Sequence, residues 1–328
     1  MTWASVSHVT DGTTSMTRGA RDDSPRAGTE ASVRVRVPAK INLSLRVGPP
    51  RADGYHSLGT IFHAVNLFDE VSAAPAPAGV ITLEMSGEGI ADVPSDGTNL
   101  AVRAAVALRE AHGTPDLGVH LGIRKTIPVA GGMAGGSADC AGALLACSVL
   151  WDLDTTPDDL YVLAAKLGSD VPFSLHGGTA IGSGRGEELV PLLSRGCYDW
   201  VLALADGGLS TPAVFRRFDE LGTFSETDIP DAVMNALAAG DPVALGKSLT
   251  NDLQAAAVSL RPELQETLDA GLAAGALGGI VSGSGPTCAF LASSLSHSLE
   301  LASKLEALPH VRAIRRASGP VPGARLVG

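Results

Sequence analysis

Pro128-Val-Ala-Gly-Gly-Met-Ala-Gly-Gly-Ser137 lies between residues 119–123, which alternate as a half-buried strand does, and a helical stripe formed by Ala141, Leu144, Leu145 and Val149. Strand, glycine loop and helix in that order can place bare backbone N–H groups around an anion. Glycine permits positive φ and lets a phosphate approach without meeting a Cβ. The helix behind the loop adds about half a positive charge at its N-terminus. A plain tight turn has the same pattern, so the loop by itself leaves both readings open. Two better-known phosphate loops are excluded. Gly136 is followed directly by Ser137, without the lysine of a P-loop, and Ala130 stands where the first glycine of Gly-x-Gly-x-x-Gly would fall ahead of Gly132 and Gly135. Protein-kinase signatures are absent as well.

On the N-terminal side, residues 33–37 alternate, Pro38 interrupts, and 41–47 resume an extended pattern before the turn residues Arg51-Ala-Asp-Gly54. Residues 80–85 predict a strand and 99–110 a helix. On the C-terminal side the pattern predicts helices over 211–221, 231–239, 261–273 and 295–307, and strands over 199–205, 287–291 and 311–316. The glycine-rich stretch 182–186 reads as a hairpin rather than a site. Strands in adjacent groups favour an α+β fold over a doubly wound parallel sheet. A domain boundary is expected near residue 195, giving units 31–195 and 196–328. Residues 1–30, polar and aperiodic, are expected to be a disordered tail, and no apolar run there suggests a secretory signal.

The 328 residues carry a net charge of −11, which argues against neutralising a long polyanion, so nucleic acid and anionic membranes are not expected partners. A single nucleotide needs only a few local donors. The stretch 270–299 lacks Asp, Glu, Lys and Arg, but glycines and Pro286 break it into pieces too short to span a bilayer. Cys140 and Cys147, seven residues apart on one helix, stand about 10 Å from each other, too far for a disulfide. With Cys197 and Cys288 they are expected to be reduced and buried in a cytoplasmic protein, and no spacing suggests zinc.

The loop gains meaning from its companions: Pro38-Ala-Lys-Ile-Asn-Leu43, Arg51-Ala-Asp-Gly-Tyr-His56, Gly168-Ser-Asp-Val-Pro-Phe173 and Ser282-Gly-Ser-Gly-Pro-Thr287. With these motifs in order over about residues 33–318, the chain resembles the GHMP kinases. The first two runs make it most similar to the branch whose acceptor is a diphosphocytidyl-linked methylerythritol. The resemblance implies a ribosomal-protein-S5-domain-2-like N-terminal half and a ferredoxin-like C-terminal half. It also implies ATP and Mg²⁺ as cofactors and a small cytidine-diphosphate-linked substrate, and it leaves the oligomeric state open. Asp170 matches the catalytic aspartate and Lys40 the lysine beside it; a carboxylate accepts the proton of an alcohol and an ammonium stabilises developing charge. Without a partner, Asp170 would be a helix cap and Lys40 a solvated strand residue.

Pro128, Val129, Ala130, Gly131, Gly132, Met133, Ala134, Gly135, Gly136 and Ser137 match the ATP loop. Gly283, Ser284 and Gly285 match the third motif that supports it. Tyr55, His56 and Phe215 match residues that meet the cytidine end, by stacking and by an imidazole on the base edge, although Phe215 equally suits core packing. Asn42 matches a residue near the substrate, or it merely satisfies backbone groups. The Mg²⁺ ligand is open between Ser137 and water. The loop departs from the family pattern at four positions. Ala130 and Ala134 replace glycines, their methyls tolerable where φ stays negative, and Ala138-Asp139 replaces the usual Ser-Asn, with Asp139 expected to face away from phosphate. The rival readings are a sister kinase for homoserine, mevalonate or a sugar, and a catalytically silent nucleotide-binding protein.

Overall fold

The computed structural model describes residues 32–327, and the expected tail lies outside them. The described residues belong to one compact unit. It begins with two long antiparallel strands, β1 (Val33–Pro50) and β2 (His56–Pro75), joined by a turn at Gly54. β3 (Ile81–Gly87), a 3₁₀ turn (Ile90–Asp92), α1 (Leu100–His112) and β4 (Val119–Lys125) follow, and the glycine loop leads into α2 (Gly135–Leu150). Next come α3 (Pro157–Leu167), α4 (Val171–His176), β5 (Thr179–Ser183) and β6 (Glu188–Pro191). β7 (Tyr198–Ala205), α5 (Thr211–Leu221), α6 (Asp231–Ala239), α7 (Pro242–Ser248), β8 (Thr250–Asn251), α8 (Gln254–Leu260) and α9 (Glu263–Ala273) continue the chain. It ends with β9 (Gly278–Val281), β10 (Cys288–Ala292), α10 (Leu295–Glu306), β11 (Val311–Gly319) and β12 (Arg325–Leu326).

An eight-stranded sheet runs β12-β1-β2-β4-β3, with β5 and β6 extending from β2 and β8 pairing with β1. A four-stranded antiparallel sheet runs β11-β7-β10-β9. The position expected for a domain boundary, near 195, falls between β6 and β7, where the chain passes from the larger sheet to the smaller. One apolar core nonetheless includes Ile41, Leu121 and Leu144 together with Trp200, Leu202 and Leu291.

Pro38 does not divide β1 as its missing N–H suggested. It sits at a register shift between Pro38 and Ala39, and β12 pairs with β1 only at Val35 and Arg36, so no neighbour needs the absent donor. β2 gave no alternating signal. Residues 59–65 are all buried, Ile61 and Val65 joining the main core while Phe62 and Ala64 pack with Phe173 and Ala180. A strand buried on both faces loses its two-residue period. The charge-free stretch 270–299 is divided among α9, β9, β10 and α10, and no helix among the described residues is long and apolar enough to cross a membrane. Cys140, Cys147 and Cys288 are buried, with burial pushing each thiol up to about 12, whereas Cys197 is exposed, contrary to expectation.

Candidate active site

A cleft of about 480 Å³ opens where the glycine loop meets β1, the start of α4 and the turn before β10. Its floor is the loop. Pro128, Val129, Ala130, Gly131, Gly132, Ala134, Gly135 and Gly136 line it, but Met133 and Ser137 do not. Met133 is fully buried in the core, and its carbonyl accepts from the Lys40 backbone N–H at 3.2 Å, which ties the loop to β1. Ser137 lies in the first turn of α2, away from the cleft wall.

The third motif holds the loop from behind. The Ser282 hydroxyl donates to the Gly132 carbonyl at 3.1 Å, and a Cβ at residue 132 would stand 2.1 Å from the Ser282 carbonyl oxygen. With φ at 75° as well, position 132 admits only glycine. Gly283 and Ser284 line the cleft, whereas Gly285, turning at φ 78°, packs behind them near Val281.

Ala130 and Ala134 do not meet the condition of negative φ: they stand at φ 50° and φ 60°. Alanine is the smallest residue with a Cβ, and the left-handed region costs it about 1–2 kcal/mol. At Ala130 the methyl is accommodated because residue 208 is glycine, whose Cβ, if present, would lie 2.7 Å away.

Lys40 and Asp170 meet at this cleft. Lys40 Nζ lies 3.6 Å from Asp170 Oδ2, with the lysine side chain 8% exposed and the aspartate 29%. The ammonium also donates to Asn42 Oδ1 at 2.6 Å, and Asn42 Nδ2 donates to Thr60 Oγ1 at 2.8 Å, whose hydroxyl donates to the Ser44 carbonyl at 2.7 Å. Lys40 is thus aimed by a buried polar chain through β1 and β2, and is not the solvated strand residue it would be by default. Asp170 occupies the N-cap position of α4 yet makes no side-chain capping bond. Its carboxylate is left for the cleft.

Asp139 was expected to face away from the loop. Instead it is buried, lines the cleft, and Oδ2 accepts from Lys125 Nζ at 2.6 Å. Lys125 also donates to Asp69 Oδ2, and Asp69 Oδ1 accepts from the backbone N–H groups of Thr126 and Ile127 at 2.6 and 2.8 Å. This brace joins β2, the end of β4 and the first turn of α2 on both sides of the loop. Burial opposes the lysine charge, but the two carboxylates outweigh it and hold Lys125 above the ordinary amine value. Burial, reinforced by Asp69 and opposed by Lys125, pushes Asp139 up to about 7. No local sequence signal pointed to the brace or to Thr60, because their partners lie far away along the chain.

The aromatic residues gather at the far end. Phe215 lines the cleft, and its ring centroid is 5.1 Å from that of His56. His56 sits behind it: Nδ1 donates to the Gly48 carbonyl at 2.8 Å and Nε2 lies 3.3 Å from Asp219 Oδ1. Both imidazole nitrogens are engaged with protein, so the ring presents a packed face rather than a free edge. Tyr55, 55% exposed, stands outside the cleft wall beneath the Arg185 guanidinium, whose Cζ is 5.3 Å from the ring centroid.

A glycine cradle facing a lysine and an uncapped aspartate defines the class: a kinase cleft built for an alcohol acceptor. Residues 99–178 match the GHMP kinases N terminal domain and residues 233–310 the GHMP kinases C terminal domain. The chain is 56% identical over 298 residues to 4-diphosphocytidyl-2-C-methyl-D-erythritol kinase of Nocardia farcinica, covering 90% of this chain and 96% of that one. The enzyme of the same name from Thermobifida fusca is also 56% identical, over 304 residues, with 90% and 98% covered. A crystal structure of 4-(cytidine 5'-diphospho)-2C-methyl-D-erythritol kinase superposes with TM-score 0.70 at 34% identity, covering 90% of this chain and 99% of that one. A homoserine kinase from Cytophaga hutchinsonii superposes with TM-score 0.71 at 19% identity, over 90% and 97% of the two chains, which shows the shared fold. The chain belongs to the GHMP kinases and, within them, to the 4-diphosphocytidyl-2-C-methyl-D-erythritol kinases.

Proposed function

We infer that this chain transfers the γ-phosphoryl group of ATP to the 2-hydroxyl of 4-diphosphocytidyl-2-C-methyl-D-erythritol, a step of non-mevalonate isoprenoid precursor synthesis. The observation that carries the residue assignment is the 3.6 Å approach of Lys40 to Asp170 at the glycine cradle. The acceptor hydroxyl donates its hydrogen bond to Asp170 and passes its proton there as its oxygen bonds to the γ-phosphorus and the bond to ADP breaks. Lys40, desolvated and aimed by Asn42, stabilises charge on the alkoxide and the moving phosphoryl group. The loop's backbone N–H groups hold the polyphosphate, so positioning supplies most of the catalysis.

Among the described residues, no group of three His, Cys, Asp or Glu side chains could hold a metal. Mg²⁺ would arrive with ATP, as an ion that keeps several waters and binds mainly through substrate phosphates. Asp170 is kept for the acceptor's proton and Asp139 is bound to Lys125, so ATP and water would supply most of the ion's ligands, and Ser137, set back from the wall, is not placed to add one. When bound, the ion would neutralise phosphate charge. Phe215 offers a face for the cytosine, backed by His56. A cytoplasmic setting suits an ATP-using enzyme whose cysteines are free.

The test is coupled ADP release with ATP, Mg²⁺ and one alcohol at a time. Turnover with the cytidyl acceptor and none with homoserine or mevalonate is expected. Turnover with either of the latter alone would overturn the acceptor assignment.

A further inference from the structure

Three cationic side chains line the cleft among the described residues: Lys40, Lys125 and Arg185. Two are committed. Lys40 serves Asn42 and Asp170, and Lys125 is sealed between Asp69 and Asp139 with its side chain 1% exposed. Arg185 differs. It sits at the tip of the β5–β6 hairpin, where Glu187 Oε1 accepts from its Nε at 3.1 Å and Glu187 Oε2 accepts from its backbone N–H at 2.6 Å. Neither terminal nitrogen has a hydrogen-bond partner among the described residues, and the side chain is 36% exposed. Glu187 fixes one edge of the guanidinium, Tyr55 supports its face, and the outer edge with its paired N–H groups remains on offer.

The position of that edge gives it a role. The hairpin is tied to β2 by the Leu58 N–H donating to the Gly184 carbonyl at 2.8 Å. A Cβ at residue 186 would lie 3.4 Å from Phe62 Cζ, and Lys40 Nζ stands 5.5 Å from the centre of the Phe62 ring. Arg185 thus adjoins the aromatic end through Tyr55, while its neighbour Gly186 meets Phe62, the ring beside Lys40, at the reacting end. An acceptor carrying a base at one end and the reacting alcohol at the other has its diphosphate between them. Two phosphates need a donor there, and a guanidinium edge matches phosphate oxygens in pairs.

We propose that Arg185 is a specificity-determining residue that binds the diphosphate of the acceptor, so that the enzyme selects diphosphate-linked nucleosides over shorter ones. The proposal rests on the acceptor reading above. Glu187 acts as a positioning residue, holding the guanidinium edge-on to the cleft.

The experiment measures cytidine, CMP and CDP as competitors of the acceptor, for the wild-type enzyme and for Arg185→Gln and Arg185→Lys. For the wild type, CDP is expected to bind about tenfold or more tighter than cytidine, from charge-assisted pairing. Arg185→Gln is expected to bring that ratio close to one while leaving the affinity for cytidine and the KM for ATP unchanged, and Arg185→Lys to recover part of it. A wild-type ratio retained in Arg185→Gln overturns the proposal. A KM for ATP that rises while the ratio holds overturns it too, placing the arginine on the donor nucleotide. A wild-type enzyme that binds none of the three compounds overturns the acceptor reading along with it.

Discussion

Two lysine–aspartate contacts border the same cleft, and they behave in opposite ways. Lys125 is clamped by Asp69 and Asp139, all three side chains no more than 4% exposed. Lys40 stands 3.6 Å from an aspartate that is 29% exposed, without a direct hydrogen bond. The first arrangement is closed to solvent and directly hydrogen-bonded, and so serves as a brace. The second leaves a carboxylate that a substrate can still approach, beside a cation that has not been neutralised. The residue types are the same; direct hydrogen bonding and access to solvent separate structure from chemistry.

The contrast can be broken from either side. Lys125→Met leaves two buried carboxylates without a counter-charge, and urea unfolding is expected to register about 3–5 kcal/mol of lost stability. Asp170→Asn is expected to lower kcat on the order of 10²-fold or more, seen in coupled ADP release, with ATP binding retained. Its unfolding free energy should move by less than about 1 kcal/mol, since a part-exposed pair contributes little. If Asp170→Asn retained wild-type turnover, the base assignment would fail.

His63 sharpens the comparison as a buried titratable group with no counter-charge. Burial lowers it from 6.5 to about 3, and its Nδ1 is hydrogen-bonded to Thr179 Oγ1 at 2.9 Å. Between those two values the unfolded chain binds a proton that the native chain refuses, so stability rises with pH across that window and is complete above it. From pH 7 to pH 5 this group should account for about 2 kcal/mol of lost stability, and His63→Asn should flatten that part of the slope in urea titrations at the two pH values. The smallest effect is local. Ala134→Gly relieves a left-handed alanine at the entrance to α2 and is expected to raise the unfolding free energy by up to about 1 kcal/mol. A loss in thermal melts would show that the methyl makes contacts worth more than the strain.

Short-range patterns were legible in the sequence. The glycine loop, Lys40 two residues before Asn42, and Asp170 ahead of Val171-Pro172 are each carried by a few adjacent residues, and the helices over 211–221 and 231–239 coincide with α5 and α6. Features set by distant partners were not legible. Over residues 59–65 β2 lost its period because both faces are covered. The inward turn of Asp139 depends on Lys125 and, through it, on Asp69, 56 positions before that lysine. The engagement of His56 depends on Gly48 and Asp219, neither of which marks itself. The sign of φ at Ala130 was hidden because the space for its methyl is provided by a residue on a loop far along the chain.

That last contact also sets a direction for sequence drift. Residue 208 cannot acquire a methyl while residue 130 keeps its own, for the two carbons would stand 2.7 Å apart. Residue 130 can become glycine first, because its backbone already sits where glycine is at ease. Descendants of this chain that exchange the two residues must therefore pass through the double-glycine form, and the reverse order leads through an obstructed intermediate.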